Sequence, residues 1–454
     1  MSSRTYELDM SKGSIFKNVM RFVFPLILGN ILQLLYNAAD IIVVSRWAGS
    51  SAMASVGATG SLNALIVNLC IGLSVGASVV VSRRFGAKNS QGVHRAVHTS
   101  MLLGSIAGVV ACILGVVFSA PLLRLMGTPQ GEVFEGAVLY MRIYFLGVPA
   151  SLVYNFASSI LRAVGDTKRP LYILAATGVV NVVLNLILVI VFHLGVAGVA
   201  ISTAFANYLS AGIIIYALAK SERAYRLVFK KLRFYKEELV EILKIGVPAA
   251  LQSSVFSLSN SVIQSAVNSF GTAAIAGSAA ASNIEGFVYT TMNAFYQATM
   301  TAVSQNYGAK NEKRLNKSIY IPVLCVMVVG FGLGLMTVIF ANPLLSIYIT
   351  DSPEAIEFGR IRMIITGLPY FICGAMEVMA GALRGLGYSV ITAINSLIGA
   401  CGLRILWIIF VLPLARSGYT LFLCWPVSWL VVICMHLVYY MIIRKKAIRK
   451  MLEE

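Results

Sequence analysis

The first long apolar segment of the chain contains the stretch Asn30-Ile-Leu-Gln33-Leu-Leu-Tyr36-Asn37-Ala-Ala-Asp40. The apolar run around it, residues 22–44, is long enough to cross a bilayer as a helix, which takes about 20 residues. At helical spacing the two asparagines, the glutamine and the aspartate fall on one face. Because lipid cannot solvate a charge, such an acid usually faces a bundle interior or a watery cavity. The stretch therefore predicts a functional polar stripe; the alternative is that Asp40 lies at the outer interface beside Arg46.

The composition indicates an integral membrane protein built from helices. Of the 454 residues, 58% are hydrophobic and only 12% are charged, against about 25% charged in an average soluble domain. Twelve apolar segments follow one another, centred near residues 30, 65, 107, 145, 181, 208, 257, 290, 329, 370, 400 and 430. We therefore expect an all-α membrane protein with twelve transmembrane helices.

The positive charge of the chain is distributed as a membrane topology requires. The formal net charge is +18, which by itself would suit nucleic-acid binding. With the N-terminus inside, however, 29 of the 36 Lys and Arg residues lie in the tails and loops on the cytoplasmic side. This asymmetry follows the positive-inside rule, so we expect both termini in the cytoplasm, contact with the lipid bilayer and no nucleic-acid partner.

The two halves of the chain repeat each other at a fixed spacing of 222 residues. Phe85-Gly-Ala-Lys-Asn89 recurs as Tyr307-Gly-Ala-Lys-Asn311, and Leu161-Arg-Ala-Val-Gly165 recurs as Leu383-Arg-Gly-Leu-Gly387. Each half holds six apolar segments, so equivalent helices cross the membrane in the same direction. We expect two parallel-repeat six-helix bundles, residues 1–219 and 241–454, joined by a cytoplasmic linker at 220–240.

Two further segments of the N-terminal half carry polar side chains at helical spacing. The fifth segment has Thr177, Asn181 and Asn185, and the sixth has Thr203. With Asp40 these side chains predict an oxygen-rich pocket for a proton or a small hard cation, since such cations prefer oxygen ligands. The alternative is a structural polar network between helices.

In the C-terminal half, two neighbouring segments carry side chains suited to an organic ligand. The seventh segment has a polar stripe with Asn260 and Gln264, and the eighth has Glu285, Tyr289, Met292 and Tyr296 on one face. An acid, two aromatic faces and a polarisable thioether suit an amphiphilic organic cation. We therefore predict ligand contacts on this face, with plain helix packing as the alternative.

Two charges, Glu377 and Arg404, lie deep in apolar sequence of the same half. Lone charges there would be costly, whereas a pair can satisfy each other, so we predict a buried ion pair. The sequence contains no GxxxxGK[ST] or GxSxG motif, so we expect neither ATP hydrolysis nor another enzyme activity. The seven cysteines show no metal-ligand spacing, so we expect no metal site among them.

These motifs resemble those of the multidrug and toxin extrusion (MATE) family. The resemblance rests on twelve segments in two parallel halves, on Gln33-x-x-Tyr36-Asn37-x-x-Asp40 and on the repeated Leu-Arg-x-x-Gly motif. It covers essentially the whole chain. It implies a V-shaped pair of bundles around a central cavity, and export of cationic or amphiphilic drugs in exchange for H+ or Na+.

The resemblance also implies roles for particular side chains. The family's N-terminal coupling site matches Asp40, Asn181, Asn185 and Thr203, although Asn185 stands where many members have a second acid. The expected substrate cavity comprises Gln33, Tyr36, Asn37, Asn260, Gln264, Glu285, Tyr289, Met292 and Tyr296. Another branch of the family uses two acids in the C-terminal half for a cation site. Phe256 and Cys373 stand near the places of those acids in this chain, and we therefore do not expect a cation site of that type here.

Our interpretation is a monomeric antiporter of the bacterial inner membrane that works by alternating access and needs no cofactor beyond its coupling ion. The alternative is a flippase of an isoprenoid-linked lipid or polysaccharide precursor, which would line its cavity with several cationic side chains for phosphate. Arg404 is the only basic residue deep in a predicted span, which favours the antiporter. A receptor or an intramembrane enzyme would need a soluble domain or a catalytic motif that the sequence does not show.

Overall fold

The computed structural model describes residues 6–350 and 352–453, which fold into helices joined by short turns. The helices of the first half are α1 (Ile15–Val43), α2 (Gly49–Gly86), α3 (Ser90–Leu125), α4 (Glu132–Ala163), α5 (Lys168–Leu186) and α6 (Gly195–Ala219). Those of the second half are α7 (Lys236–Asn268), α8 (Thr272–Gly308), α9 (Glu312–Ile339), α10 (Ala341–Ser346), α11 (Pro353–Gly367), α12 (Tyr370–Gly385), α13 (Ser389–Ser396), α14 (Leu403–Leu406) and α15 (Gly418–Glu453). Turns of π-helix lie at Val44–Ala48, Ile187–Val191, Leu397–Gly402 and Trp407–Val411, and a 3₁₀ turn at Phe229–Lys231.

Within the described ranges, ten helices are long and apolar enough to cross a membrane, or eleven if the bent pair α11 and α12 forms one span. These two helices meet at 50° beside Pro369, which has no backbone N–H with which to continue a helix. With 37 residues α8 is long enough as well, but Glu285 and many Ser, Thr and Asn side chains make it too polar for this count. Together with α8 these helices form the twelve segments that the sequence predicts.

The repeated Gly-Ala-Lys-Asn motif forms the same turn in both halves. Lys88 and Lys310 adopt the left-handed backbone conformation, with φ of 54° and 55°. The next residue caps the following helix: the side chain of Asn89 accepts a hydrogen bond at 2.8 Å, and that of Asn311 at 3.1 Å, from the backbone N–H three residues ahead. The sequence repeat is therefore also a repeat of local structure.

The repeated Leu-Arg-x-x-Gly motif ends α4 and α12. Its final residues, Gly165 and Gly387, have φ of 86° and 94°, a conformation that favours glycine. In the first copy Asp166 follows and accepts hydrogen bonds from the backbone N–H groups of Lys168 and Arg169, at 3.2 and 3.1 Å. Burial raises the pKa of the Asp166 carboxyl, and these hydrogen bonds and the charge of Arg169 oppose that rise. The motif thus makes the turn between two helices.

The described chain divides into two compact units. The first unit comprises residues 6–8 and Leu28–Gly246, and the second comprises Asp9–Ile27 and residues 247–453. The boundaries pass through α1 and α7, close to Pro25 and Pro248, whereas the sequence suggested a linker at 220–240. Residues 9–27 thus belong to the second unit, and residues 220–246 belong to the first.

Hydrogen bonds explain where these two segments belong. In the second unit the Met10 N–H donates to Gln305 Oε1 at 2.8 Å, and Arg314 Nη2 donates to the Met10 carbonyl at 2.9 Å. In the first unit Arg83 Nη1 lies 2.6 Å from Glu241 Oε1 at the start of α7. The start of each repeat is therefore held by residues that come from the opposite half of the sequence.

Glycines set the spacing between helices inside each unit. In the first unit, a Cβ at Gly108 on α3 would lie 2.7 Å from Pro149 Cα on α4. In the second unit, a Cβ at Gly277 on α8 would lie 2.1 Å from the Ala355 carbonyl oxygen on α11. Helices at these points pack backbone against backbone, as small-xxx-small patterns favour in membrane proteins.

Candidate functional site

In the first unit, α1 and α5 bring Asp40 and Asn185 into contact. Asn185 Nδ2 donates a hydrogen bond to Asp40 Oδ1 at 2.7 Å. Asn185 is fully buried, and its Oδ1 has no hydrogen-bond partner among the residues that the structure describes. Asp40 itself is partly buried. The contact thus offers a carboxylate beside an unused amide oxygen, which are groups that bind a proton or a hard cation.

Tyr140 on α4 shares this environment, although no sequence pattern points to it. It is buried in one core cluster with Val43 and Val199. Its phenol lies close enough to Asp40 for the two groups to interact electrostatically. Tyr140 lies in an ordinary apolar run without a motif, so only the packing of the folded unit reveals its position.

Of the other residues predicted for the ion pocket, Thr203 and Thr177 have partners other than Asp40. Asn181 is buried one turn before Asn185 on α5. Thr203 Oγ1 donates to the Val199 carbonyl of its own helix at 2.9 Å. The hydroxyl of Thr177 accepts a hydrogen bond from Ser210 at 2.8 Å, which joins α5 to α6. The structure therefore brings Asp40 and Asn185 together, gives Thr203 a backbone partner and uses Thr177 as a link between helices.

Of the three α1 residues predicted for the substrate cavity, one is packed against a neighbouring helix and two are exposed. Tyr36 donates to the Ala175 carbonyl at 3.0 Å, and its ring fills the space beside Gly178, where a Cβ would lie 1.9 Å from a ring carbon. Tyr36 thus anchors α1 on α5, and its predicted place in a substrate cavity stays a prediction. Gln33 and Asn37 are exposed on the surface of the unit.

Three residues predicted to contact substrate are also exposed in the second unit. These are Asn260 and Gln264 on α7 and Tyr289 on α8. Gln264 Nε2 donates to Asn268 Oδ1 at 2.9 Å on the same helix face. The polar stripe of α7 is therefore accessible on its unit.

Glu285, in contrast, forms a buried ion pair that the sequence did not predict. It is bound by Arg362 on α11, whose Nη2 lies 2.7 Å from Glu285 Oε2, and each residue is 8% exposed. Thr366 Oγ1 donates to Glu285 Oε1 at 2.6 Å, and Arg362 Nη1 donates to Ser278 Oγ at 2.7 Å. The predicted role of Glu285 as the anion of a drug site is therefore corrected: its charge is already neutralised.

Close helix packing explains this pair. Gly277 and Gly359 let α8 and α11 approach, because Cβ atoms at these positions would collide with the backbone of the other helix. Glu285 lies about two turns beyond Gly277, and Arg362 about one turn beyond Gly359, so the two side chains face each other. In the sequence Arg362 stands close to Arg360 without a motif around it, so nothing there identifies it as the partner of Glu285.

Met292 and Tyr296 are also buried inside the second unit. A Cβ at Gly374 would lie 2.6 Å from the Met292 sulfur, so this side chain fills a gap left by a glycine of α12. Tyr296 Oη accepts a hydrogen bond from Arg384 Nη1 at 2.5 Å, and Arg384 Nη2 donates to Gln252 Oε1 at 2.5 Å. The packing alternative therefore holds for Met292 and Tyr296.

The predicted ion pair between Glu377 and Arg404 is not formed. Arg404 Nε donates to Ser428 Oγ at 2.8 Å, and the guanidinium lies 4.2 Å from the centre of the Trp425 ring. The cation that acts on Glu377 is Arg384, which is two turns away on α12. Arg404 lies on the neighbouring segment, and its side chain is directed to α15 instead.

Repeated helices of membrane-crossing length, with an acid inside one of them, are features of a membrane transporter. A family model described as MatE matches residues 25–187 and 248–409, once in each half. These matches cover more than half of the chain, so the chain belongs to the MatE family. The resemblance to the multidrug and toxin extrusion family is thereby confirmed, and the repeat of the two halves agrees with it.

Individual relatives carry transporter names. The probable multidrug resistance protein YoeA of Bacillus subtilis is 28% identical over 404 residues, which are 87% of this chain and 86% of the relative. The FAD transporter of Shewanella oneidensis is 24% identical over 92% of this chain and 90% of its own length. A solved outward-facing multidrug resistance MATE transporter of the MOP superfamily matches 98% of this chain and 99% of its own, with a TM-score of 0.90 and 22% identity. The last likeness establishes the fold.

Proposed function

We propose that this protein is a multidrug efflux antiporter that exports cationic or amphiphilic organic compounds in exchange for H+ or Na+. The observation that carries the proposal is the contact of Asp40 with Asn185, inside helices of membrane-crossing length in a transporter family. A relative named as a multidrug resistance protein, over most of this chain, supports drug efflux.

Coupling is proposed to work through the charge of Asp40. A proton, or Na+ held by the Asp40 carboxylate and the unused Asn185 oxygen, neutralises a charge that is otherwise costly within a membrane helix. Such an ion drives alternating access only if one conformation binds it more tightly than the other, because equal affinity shifts no equilibrium. Asn181 and Thr203 are proposed to adjust this site from α5 and α6.

Substrate binding is proposed to use the accessible polar and aromatic residues. These are Gln33 and Asn37 on α1, Asn260 and Gln264 on α7, and Tyr289 on α8. Their amides and phenol suit the polar and cationic parts of amphiphilic compounds. One relative is named as a FAD transporter and another as a multidrug resistance protein, so the substrate class has to be tested for this chain itself.

The proposed location is the inner membrane of a bacterium, with both termini in the cytoplasm and the protein acting as a monomer. Relatives from Bacillus and Shewanella support a bacterial membrane. The excess of Lys and Arg in the cytoplasmic loops supports the orientation.

Transport into everted vesicles, with Na+ and proton gradients imposed separately, tests the proposal. We expect Asp40→Asn to reach the membrane at normal levels but to lose uphill export of a cationic dye, because the amide keeps the side-chain size but cannot titrate. Asp40→Glu should keep partial activity. The control is Glu132→Gln, the same change at an exposed acid, which should transport as the parent does. Uphill export by Asp40→Asn at the parental rate would contradict the proposal.

The flippase alternative gains one observation from the structure. Arg362 and Arg384 are buried in addition to Arg404, so three arginines lie in the interior of the second unit. Two of them have partners, Glu285 for Arg362 and Tyr296 with Gln252 for Arg384. Because these guanidinium groups are already engaged, we favour the antiporter. Movement of a fluorescent isoprenoid-linked phospholipid in proteoliposomes would decide for the flippase.

A further inference from the structure

Arg404 carries a charge in the interior of the second unit without an acidic partner. It is 2% exposed, which makes it one of the largest fully buried side chains. Its contacts within the described chain are the hydroxyl of Ser428 and the face of the Trp425 ring. Neither contact removes the charge, and a buried charge without a counter-ion is strongly unfavourable.

The two acids that lie inside this unit do not pair with Arg404. Glu285 is bound by Arg362, and among the described residues neither a hydrogen bond nor an ion pair joins Glu377 to Arg404. The other polar groups around Arg404 are the Cys373, Cys401 and Cys424 thiols and the Tyr370 hydroxyl, and none of them is an acid that would pair with the guanidinium. The surroundings of Arg404 therefore keep one net positive charge.

A buried donor next to Arg404 lacks an acceptor. The indole Nε1 of Trp425 is buried and has no hydrogen-bond partner among the described residues. Two guanidinium groups lie near the same ring, that of Arg404 at 4.2 Å and that of Arg362 at 5.8 Å from its centre. A buried N–H donor usually has an acceptor, so the unused donor and the unneutralised charge require the same kind of group.

The backbone at this position is irregular as well. Arg404 lies in a single α-helical turn, Leu403–Leu406, between the π-helical turns Leu397–Gly402 and Trp407–Val411. π-helical turns within helices occur frequently at functional sites. Two of them flank the one buried arginine of this unit for which the described residues offer no acid or side-chain amide.

We propose that Arg404 and Trp425 form a binding site for a monovalent anionic group, either chloride or a single carboxylate. The anion would accept hydrogen bonds from the Arg404 guanidinium and from the Trp425 indole N–H. Its single negative charge matches the one net positive charge of the surroundings, so a divalent anion would leave an excess negative charge. The inference does not depend on antiport, and its test contains no transport step.

The test is the anion dependence of thermal unfolding of the full-length purified protein in detergent. We expect the unfolding temperature to rise saturably, by roughly 2–4 °C, when the bulky sulfonate MOPS is replaced by chloride or by acetate at the same ionic strength. Arg404→Met should unfold in MOPS at or above the temperature of the parent, and it should lose the response to chloride and acetate. Arg360→Met is the matched control, since it removes an exposed arginine from α11 and should keep the full response.

Comparing chloride with acetate distinguishes an inorganic anion from a carboxylate group as the natural ligand of the site. Stabilisation by chloride without acetate would identify an inorganic anion, whereas stabilisation by acetate without chloride would identify a carboxylate group. Either result supports the site if Arg404→Met abolishes it. An anion response that persists in Arg404→Met, or a parent protein that responds to neither anion, overturns the proposal.

If Arg404→Met does not fold, a fluorescence measurement tests the anion site instead. Bromide bound beside Trp425 should quench part of the tryptophan emission of the parent protein saturably. Trp425→Phe removes this fluorophore and should lose the saturable part, while the collisional quenching of the other tryptophans remains. Equal saturable quenching in Trp425→Phe and in the parent would overturn the proposal.

Discussion

A carboxylate in the membrane interior is stable only when its charge has a partner, and two acids of this chain have different partners. Asp40 meets the amide of Asn185, which is neutral and leaves the charge of the carboxylate available. Glu285 meets the guanidinium of Arg362, which cancels that charge. Asp40 is therefore suited to exchange an ion, whereas Glu285 is suited to hold α8 against α11.

This difference predicts the stability of single and double variants at the buried pair. Glu285→Gln or Arg362→Met leaves an unpaired buried charge or an unused hydrogen-bonding group, and each should lower the free energy of unfolding by about 3–5 kcal/mol. The double variant should lose less than the sum, because the two changes remove one interaction. Thermal unfolding in detergent measures all three.

The exposed pair Glu357 and Arg360, on the same helix α11, is the control. Its disruption should change stability by about 0–1 kcal/mol, since water screens exposed ion pairs. Strictly additive losses at Glu285 and Arg362 would show that the two residues act independently.

At the scale of the helix, contacts between distant segments were the hardest features to predict. The meeting of Asp40 with Asn185 could be anticipated, because helical periodicity places polar residues on one face of each segment and family resemblance relates the two faces. The pairing of Glu285 with Arg362 could not, because it depends on the close approach of α8 and α11 at Gly277. A glycine in a sequence does not show which backbone lies against it.

Arg404 illustrates the same limit. The sequence showed correctly that it lies within a span, and the rule that buried charges pair then suggested Glu377. That rule says that a buried charge needs a partner, but it does not say on which neighbouring helix the partner lies. The direction of the side chain depends on how the helical segment is rotated about its axis. Here the guanidinium is directed to Trp425 and Ser428 on α15.

Packing between α1 and α5 makes a prediction about Gly178. A Cβ at this position would overlap the Tyr36 ring, so Gly178→Ala should lower the free energy of unfolding by about 1–3 kcal/mol. Tyr36→Leu removes the ring and should relieve most of this loss in the double variant. Gly212→Ala on α6, where a Cβ meets nothing within 4 Å, should be neutral or stabilising by up to ~1 kcal/mol. Equal stability of the Gly178→Ala and Gly212→Ala variants would show that Tyr36 does not pack on this glycine.

At the scale of the whole molecule, the repeat organises both the fold and the assignment to a family. The same turn recurs at Asn89 and Asn311, the same left-handed glycine recurs at Gly165 and Gly387, and the family model matches each half once. Within each half, two spans separate these two turns. Asn89 and Gly165 should therefore lie on one side of the membrane, and Asn311 and Gly387 should likewise share a side.

Single-cysteine labelling with a membrane-impermeant reagent tests this orientation. In a background without the seven native cysteines, Glu222→Cys in the exposed segment between α6 and α7 should react in everted vesicles and not in intact cells. Gln130→Cys, exposed between α3 and α4, should show the opposite pattern, because one helix separates it from the cytoplasmic turn at Asn89. The physical reason is the excess of Lys and Arg on the side of Glu222, which we expect to hold that side in the cytoplasm. Labelling of Glu222→Cys from outside intact cells would reverse the topology and, with it, the direction in which Asp40 would have to take up its ion.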